Sequence, residues 1–174
     1  SILVGHVFHR QTLTALPIAV RGDGIWVYDA DGNKYLDGSG GAAVSVLGHS
    51  DAGVRNAMQK QMDKLAFAHS GFFTTEAMEL LADKLTAKAP GNLDHVYFVS
   101  GGSEAIESAL KLARQYFLEI GQPNRRHFIG RRQSFHGNTL GALSAGGNYF
   151  RREPYEPMLM DVDHISPCHA WRGQ

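Results

Sequence analysis

Cysteine is nearly missing. Cys168 stands alone among 174 residues, so the chain has no internal disulfide framework, which suits a reducing, cytoplasmic setting. Excess charge is missing too. Seventeen Lys and Arg balance seventeen Asp and Glu, and no net field draws the chain toward nucleic acid or an anionic membrane. No apolar run approaches the roughly 18 residues of a membrane span. The opening SILVGHVFHRQ lacks the apolar core and small-residue cleavage site of a signal peptide. Two catalytic signatures are also absent. No glycine precedes Lys and then Ser or Thr, which excludes a Walker loop, and no G-x-S-x-G elbow presents a serine nucleophile. Of nine histidines, neither His6 with His9 nor His164 with His169 has companions at zinc-ligand spacing, so no metal is expected.

What is present is a globular composition, 43% hydrophobic and 20% charged, on a chain long enough to bury a core. In GDGIWVYDADGNKYLDGSG, two short β-prone runs flank the Asp31-Gly32 turn, which predicts a hairpin of Ile25–Tyr28 with Tyr35 and Leu36. The period then changes. Val54, Ala57, Met58, Gln61, Met62 and Leu65 fall at helical spacing behind a Ser50 cap. A second helix is predicted from near Thr75, with Met78, Leu81, Ala82 and Leu85 on one face. It should stop by Ala89-Pro90-Gly91. His95 to Val99 reads as a buried strand, and Glu104 to Ile120 as a helix ended by Gly121. Its first-turn Glu104 and Glu107 suit the helix dipole, and Glu107 has Lys111 at i,i+4. His127 to Gly130 is a further strand candidate, and Thr139 to Ala145 a further helix. Alternation of this kind implies an α/β layer with parallel pairing. After Phe150 come three prolines and little periodicity, and the chain reads as the front part of something larger.

Two glycine-rich stretches compete for an anion. In FVSGGSEA, a strand turns on Gly101 and Gly102 into a helix, and Ser103 adds a hydroxyl. The leading amides of a helix have no internal partner, so this turn is either a phosphate seat or a simple capped turn. GSGGAA, from Gly38 to Ala43, fits the dinucleotide pattern G-x-G-x-x-A, with Asp63 about twenty residues on. That fingerprint needs a helix to open at the glycines, and the following AAVSVLGHSD is strand-like or irregular. SFHGNT, Ser134 to Thr139, sets an aromatic, an imidazole and a glycine in a loop after a strand. Phe135 could stack on a planar ring that Gly137 allows close, or plug the space beneath its loop.

FVSGGSEAIESALKLARQY followed by SFHGNTLGALSAGG resembles the class III (omega) aminotransferases of the pyridoxal-phosphate fold-type-I superfamily. GIWVYDADGNKYLDGSGG resembles the family's N-terminal hairpin, VLGHSDAGVRNAMQKQ its Gly-His segment and first helix, and PYEPML a downstream stretch. The likeness runs from residue 13 to residue 171. It implies an α/β fold, made of the N-terminal hairpin segment and the first part of the large, mostly parallel-sheet domain. Residues 1–50 would belong to the small domain and 51–174 to the large cofactor-binding domain.

The resemblance implies pyridoxal 5'-phosphate as cofactor. It assigns Gly102 and Ser103 to the cofactor phosphate, Phe135 to the face of the pyridine ring, and His136 and Gly137 to the same cofactor-binding segment. Many members have Tyr where Phe135 stands, so a phenolic hydroxyl is missing here. Ala42 and Ala43 match positions that line the substrate pocket. Phe72 matches a residue that reaches the pocket from the neighbouring subunit of a homodimer. The implied activity is transamination between an amine, omega-amino acid or amino acid and a keto acid. The alternatives are another class III reaction (aminomutase, racemase, decarboxylating transaminase) or a truncated, non-catalytic remnant. The family's ring-nitrogen aspartate and cofactor-linked lysine are expected beyond Gln174. None of Lys34, Lys60, Lys64, Lys84, Lys88 or Lys111 stands in the family's lysine context.

Overall fold

The structure, a computed structural model, describes residues 6–171. The chain divides into two compact units, one running to Glu79 and the other beginning at Leu80.

The first unit opens with an antiparallel sheet of β1 (Ala19–Asp23), β2 (Trp26–Asp29) and β3 (Lys34–Leu36), in the order β1-β2-β3. The predicted hairpin is β2 with β3, where Trp26 faces Leu36 and Tyr28 faces Lys34. Asp29 fixes its turn. This 4% exposed carboxylate accepts from the amides of Asp31 (3.0 Å) and Asn33 (2.8 Å), from Asn33 Nδ2 (2.9 Å) and from the Tyr35 hydroxyl (2.7 Å). Four donors on one buried carboxylate leave it fully satisfied. The Asn33 side chain first, and then Tyr35, hold its carboxyl below the ordinary value of 3.8.

After β3 comes α1 (Gly40–Ala43), a single turn with left-handed dihedrals: φ is 56° at Gly40, 59° at Gly41, 64° at Ala42 and 67° at Ala43. A left-handed turn opens no right-handed helix, so the dinucleotide reading of GSGGAA fails on geometry. The helix α2 (Ala52–Lys64) follows at the predicted spacing, but its cap is Asp51, whose Oδ1 accepts from the Val54 amide at 2.8 Å. Ser50 is used elsewhere: its hydroxyl accepts from the Gly24 amide at 2.8 Å and donates to Asp23 at 3.2 Å, tying the helix start to the β1–β2 turn. α3 (Glu76–Thr86) begins one residue after Thr75, whose hydroxyl accepts from the Met78 amide at 3.3 Å.

In the second unit, α4 (Gly102–Glu119) is the long helix expected, and Gly121 follows it at φ 73°. β4 (Ile129–Arg131) pairs in parallel with β5 (Asp163–Ile165), aligning Gly130 with His164. α5 (Leu140–Ala145), α6 (Tyr149–Arg152) and a 3-10 turn (Glu153–Met158) lie between them. α5 is the core of the unit. Ala142, Leu143 and Ser144 are buried, and the Ser144 hydroxyl donates to the Leu140 carbonyl and accepts from the Met160 amide. One nitrogen of Arg152 donates to the carbonyls of Leu143, Ser144 and Gly146, satisfying the C-terminal end of α5.

Two expectations need correction. His95–Val99 forms no strand, and Tyr97 is 79% exposed. A segment becomes a strand only by pairing its amides and carbonyls, and no strand among the described residues pairs with this one. β5 was hidden by the proline-rich composition around it. The parallel pairing itself is as expected.

Candidate functional site

α4 starts abruptly. Gly101, fully extended, is its N-cap and offers no side-chain hydrogen bond to the first turn. The first amide with a backbone partner is that of Ala105, which donates to the Gly101 carbonyl at 3.0 Å. Among the described residues, the amides of Gly102, Ser103 and Glu104 have no acceptor. Unpaired amides at the positive end of an 18-residue helix have the chemistry to receive an anion. The Glu104 carboxylate folds back toward Gly101, as first-turn acids do in the helix dipole.

The loop after β4 returns to this point. The Asn138 amide donates to Ser103 Oγ at 2.8 Å, a bond between residues 35 apart in sequence. Gly137 is buried at φ 135°. A Cβ there would lie 2.5 Å from Ser103 Oγ and 2.8 Å from Ser103 Cα, so only glycine permits this approach. Phe135 and His136 directly precede the contact. Phe135 is 61% exposed, with the Arg151 guanidinium 4.9 Å from its ring centre. Within this chain the ring is not buried beneath its own loop.

One turn along α4, Glu107 makes the second tie. Its Oε1 accepts from the Thr139 hydroxyl at 2.5 Å and from the Ala142 amide at 3.1 Å. Thr139 is the N-cap of α5 but makes no side-chain capping bond itself, so the α4 carboxylate caps α5 from outside. A Cβ on Gly141 would meet that carboxylate at 2.5 Å. The Thr139 hydroxyl is the main reason the Glu107 carboxyl lies below the usual carboxylate range, and burial opposes it. The expected ion pair of Glu107 with Lys111 is not formed among the described residues. The carboxylate is already engaged across to α5.

The structure thus brings Gly102, Ser103, Phe135, His136 and Gly137 into one neighbourhood of the second unit. Ala42, Ala43 and Phe72 belong to the first unit. Ala42 and Ala43 are exposed on the left-handed turn, which Asp37 organises. Asp37 accepts from the Gly41 amide (3.0 Å) and the Ser39 hydroxyl (3.2 Å) and meets His49 Nε2 at 2.8 Å. The Gly41 amide first, then His49, hold the Asp37 carboxyl below the usual range. Phe72 is 82% exposed, with the His69 ring 5.1 Å away. Sequence reasoning missed Glu107 and Asn138 as members of the site. The available signal was the i,i+4 spacing of Ser103 and Glu107, which puts both on one face of α4.

Comparison with known proteins shows the family. The family model for Aminotransferase class-III matches residues 7–170. An uncharacterized aminotransferase of Schizosaccharomyces pombe is 43% identical over 168 residues, covering 96% of this chain and 37% of its own. Among solved structures, an (S)-enantioselective omega-transaminase from Thermomicrobium roseum superposes with a TM-score of 0.85 at 36% identity. It covers 95% of this chain and 39% of its own. An adenosylmethionine-8-amino-7-oxononanoate aminotransferase from Methanocaldococcus jannaschii gives 0.88 at 32% identity, over 93% of this chain and 38% of its own. The chain therefore spans well under half the length of the relatives it matches, and its fold is that part of a fold-type-I transaminase. With the family model matched over residues 7–170 and a relative 43% identical over 96% of this chain, the chain belongs to the class III aminotransferase family.

Proposed function

We propose that this chain supplies the phosphate-anchoring and ring-facing part of the cofactor site of a pyridoxal-phosphate-dependent transaminase. The reaction moves an amino group between an amine, omega-amino acid or amino acid and a keto acid. The observation that carries the reading is the contact of Ser103 with Gly137 and Asn138, beside three unpartnered amides at the mouth of α4.

The residues fit the cofactor. The Gly102 and Ser103 amides suit phosphate oxygens, and no side chain caps the turn in their place. Ser103 Oγ accepts from Asn138, which leaves its own proton free to donate to a phosphate oxygen. Phe135 offers an exposed aromatic face for the pyridine ring, with His136 beside it. When bound, the cofactor supplies the electron-accepting ring that makes bonds at the amine-bearing carbon labile. The residues named here bind and orient it; no residue of this chain is assigned the proton-shuttling lysine or the ring-nitrogen aspartate. We further assign Ala42 and Ala43 to the substrate pocket, where small side chains leave room. Phe72 is assigned to the pocket of the neighbouring subunit in a homodimer. We further propose a cytoplasmic location, since a single cysteine suits a reducing compartment. Among the described residues no helix is long and apolar enough to cross a membrane.

The test uses the full-length protein loaded with pyridoxal phosphate. Adding an amine without a keto acid should bleach the cofactor's visible band, and adding a keto acid should restore it. A band that no amine or amino acid changes would rule out transamination.

A further inference from the structure

We propose that Glu107 is a positioning residue for the cofactor ring, holding the Phe135–Gly137 loop in register with the phosphate seat through Thr139 and the first turn of α5. The inference rests on the cofactor reading above and adds a residue outside the phosphate seat and the ring-facing loop.

Ser103 and Glu107 are four residues apart on α4, so they share one face and lie about one helical turn apart. Each holds a different point of the same returning segment. Ser103 takes the Asn138 amide at 2.8 Å, and Glu107 takes the Thr139 hydroxyl at 2.5 Å and the Ala142 amide at 3.1 Å. Two anchors fix a segment's direction where one would leave it free to pivot. Phe135 needs this most, because within this chain its ring is largely exposed. The Glu107 carboxylate is half-buried, fits against Gly141 with no room for a side chain, and has both bonds on one oxygen. α5 is short, with no cap from its own N-cap residue, and relies on this borrowed carboxylate for its Ala142 amide. Without it, Thr139 and Ala142 lose their acceptor together and the loop's seated population falls. Apparent cofactor affinity falls by the same fraction.

The experiment measures pyridoxal-phosphate dissociation and the circular dichroism of the bound cofactor band in the full-length protein. It compares wild type, Glu107→Ala, Glu107→Gln, Phe135→Ala and the Glu107→Ala/Phe135→Ala double variant. Glu107→Ala should raise the dissociation constant about tenfold and weaken the dichroic band. Glu107→Gln should recover most of both, because its carbonyl oxygen still accepts from Thr139 and Ala142. The double variant should bind no more weakly than Phe135→Ala, since Glu107 acts through that ring. Wild-type affinity and dichroism in Glu107→Ala, or full additivity in the double variant, would overturn the proposal. If Glu107→Ala does not fold, Thr139→Val removes a single donor at nearly constant shape and must shift both readouts in the same direction. A wild-type protein that binds no pyridoxal phosphate would refute the cofactor reading, and this inference with it. Normal wild-type binding with an indifferent Glu107→Ala would refute this inference alone.

Discussion

Both units use carboxylates to shape loops, and their main hubs differ in reach, although in the first unit Asp23 also takes the Ser50 hydroxyl from 27 residues away. In the first unit Asp29 holds residues two, four and six positions along, and Asp37 holds Gly41 and His49. In the second, Glu107 and the Ser103 hydroxyl hold partners 32 to 35 residues away. Local hubs set the form of a turn. Long-range hubs bring two separate stretches of chain to one place, and only they can assemble a cofactor site from a helix mouth and a distant loop.

The contrast predicts where substitutions matter. Gly137→Ala should have the largest effect. It strains a φ of 135° and drives a methyl into the Ser103 backbone, a combined cost of about 2–4 kcal/mol. Cofactor titration of the full-length protein should show retention nearly abolished, and near-normal retention would mean the loop need not touch α4. Ser103→Ala comes next. It removes a phosphate donor and the acceptor for Asn138, and a hydrogen bond to a charged group is worth about 1.5–3 kcal/mol. Cofactor should dissociate some ten- to a hundredfold more readily. An unchanged dissociation constant would leave the backbone amides as the whole seat.

The local hubs should register in stability and not in cofactor affinity. The Asp29 carboxyl is held low in the folded state. Its stabilising contribution is therefore complete above the ordinary value of 3.8 and is lost as the pH falls through the folded-state value. Thermal midpoints taken on progressive acidification should fall less steeply in Asp29→Asn than in wild type. Parallel acid profiles would place the sensitivity elsewhere. The smallest effect runs in the opposite direction. Ala42 sits at φ 64°, so Ala42→Gly relieves left-handed strain at some entropic cost, a net gain of about 0.5–1 kcal/mol. A lower midpoint would show that the turn is not strained at this residue.

The same difference in reach explains how much was legible in the sequence. The β2–β3 hairpin, α2, α3 and α4 followed from turn residues and helical spacing, because each is specified by neighbours in sequence. The cap of α2 was displaced by one residue, since Ser50 is drawn off by Gly24 and Asp23. Residues 95–99 carry a strand's composition, yet pairing is a property of whatever lies alongside. Glu107 looked like a partner for Lys111 because i,i+4 spacing is visible in a sequence and a Thr139 hydroxyl 32 residues on is not. Nothing in an alanine announces a positive φ. Gly102 and Ser103 at a helix mouth, and Phe135, His136 and Gly137 in a loop after a strand, stood out as two separate signals that family likeness assigned to one cofactor; their meeting at one point appears only in three dimensions.

The most direct test is a crystal structure of the full-length protein with pyridoxal phosphate bound. The account predicts the phosphate on the amides of Gly102 and Ser103, within hydrogen-bond distance of the Ser103 hydroxyl, and the ring against Phe135. A phosphate held elsewhere, with the mouth of α4 left to solvent, would contradict it.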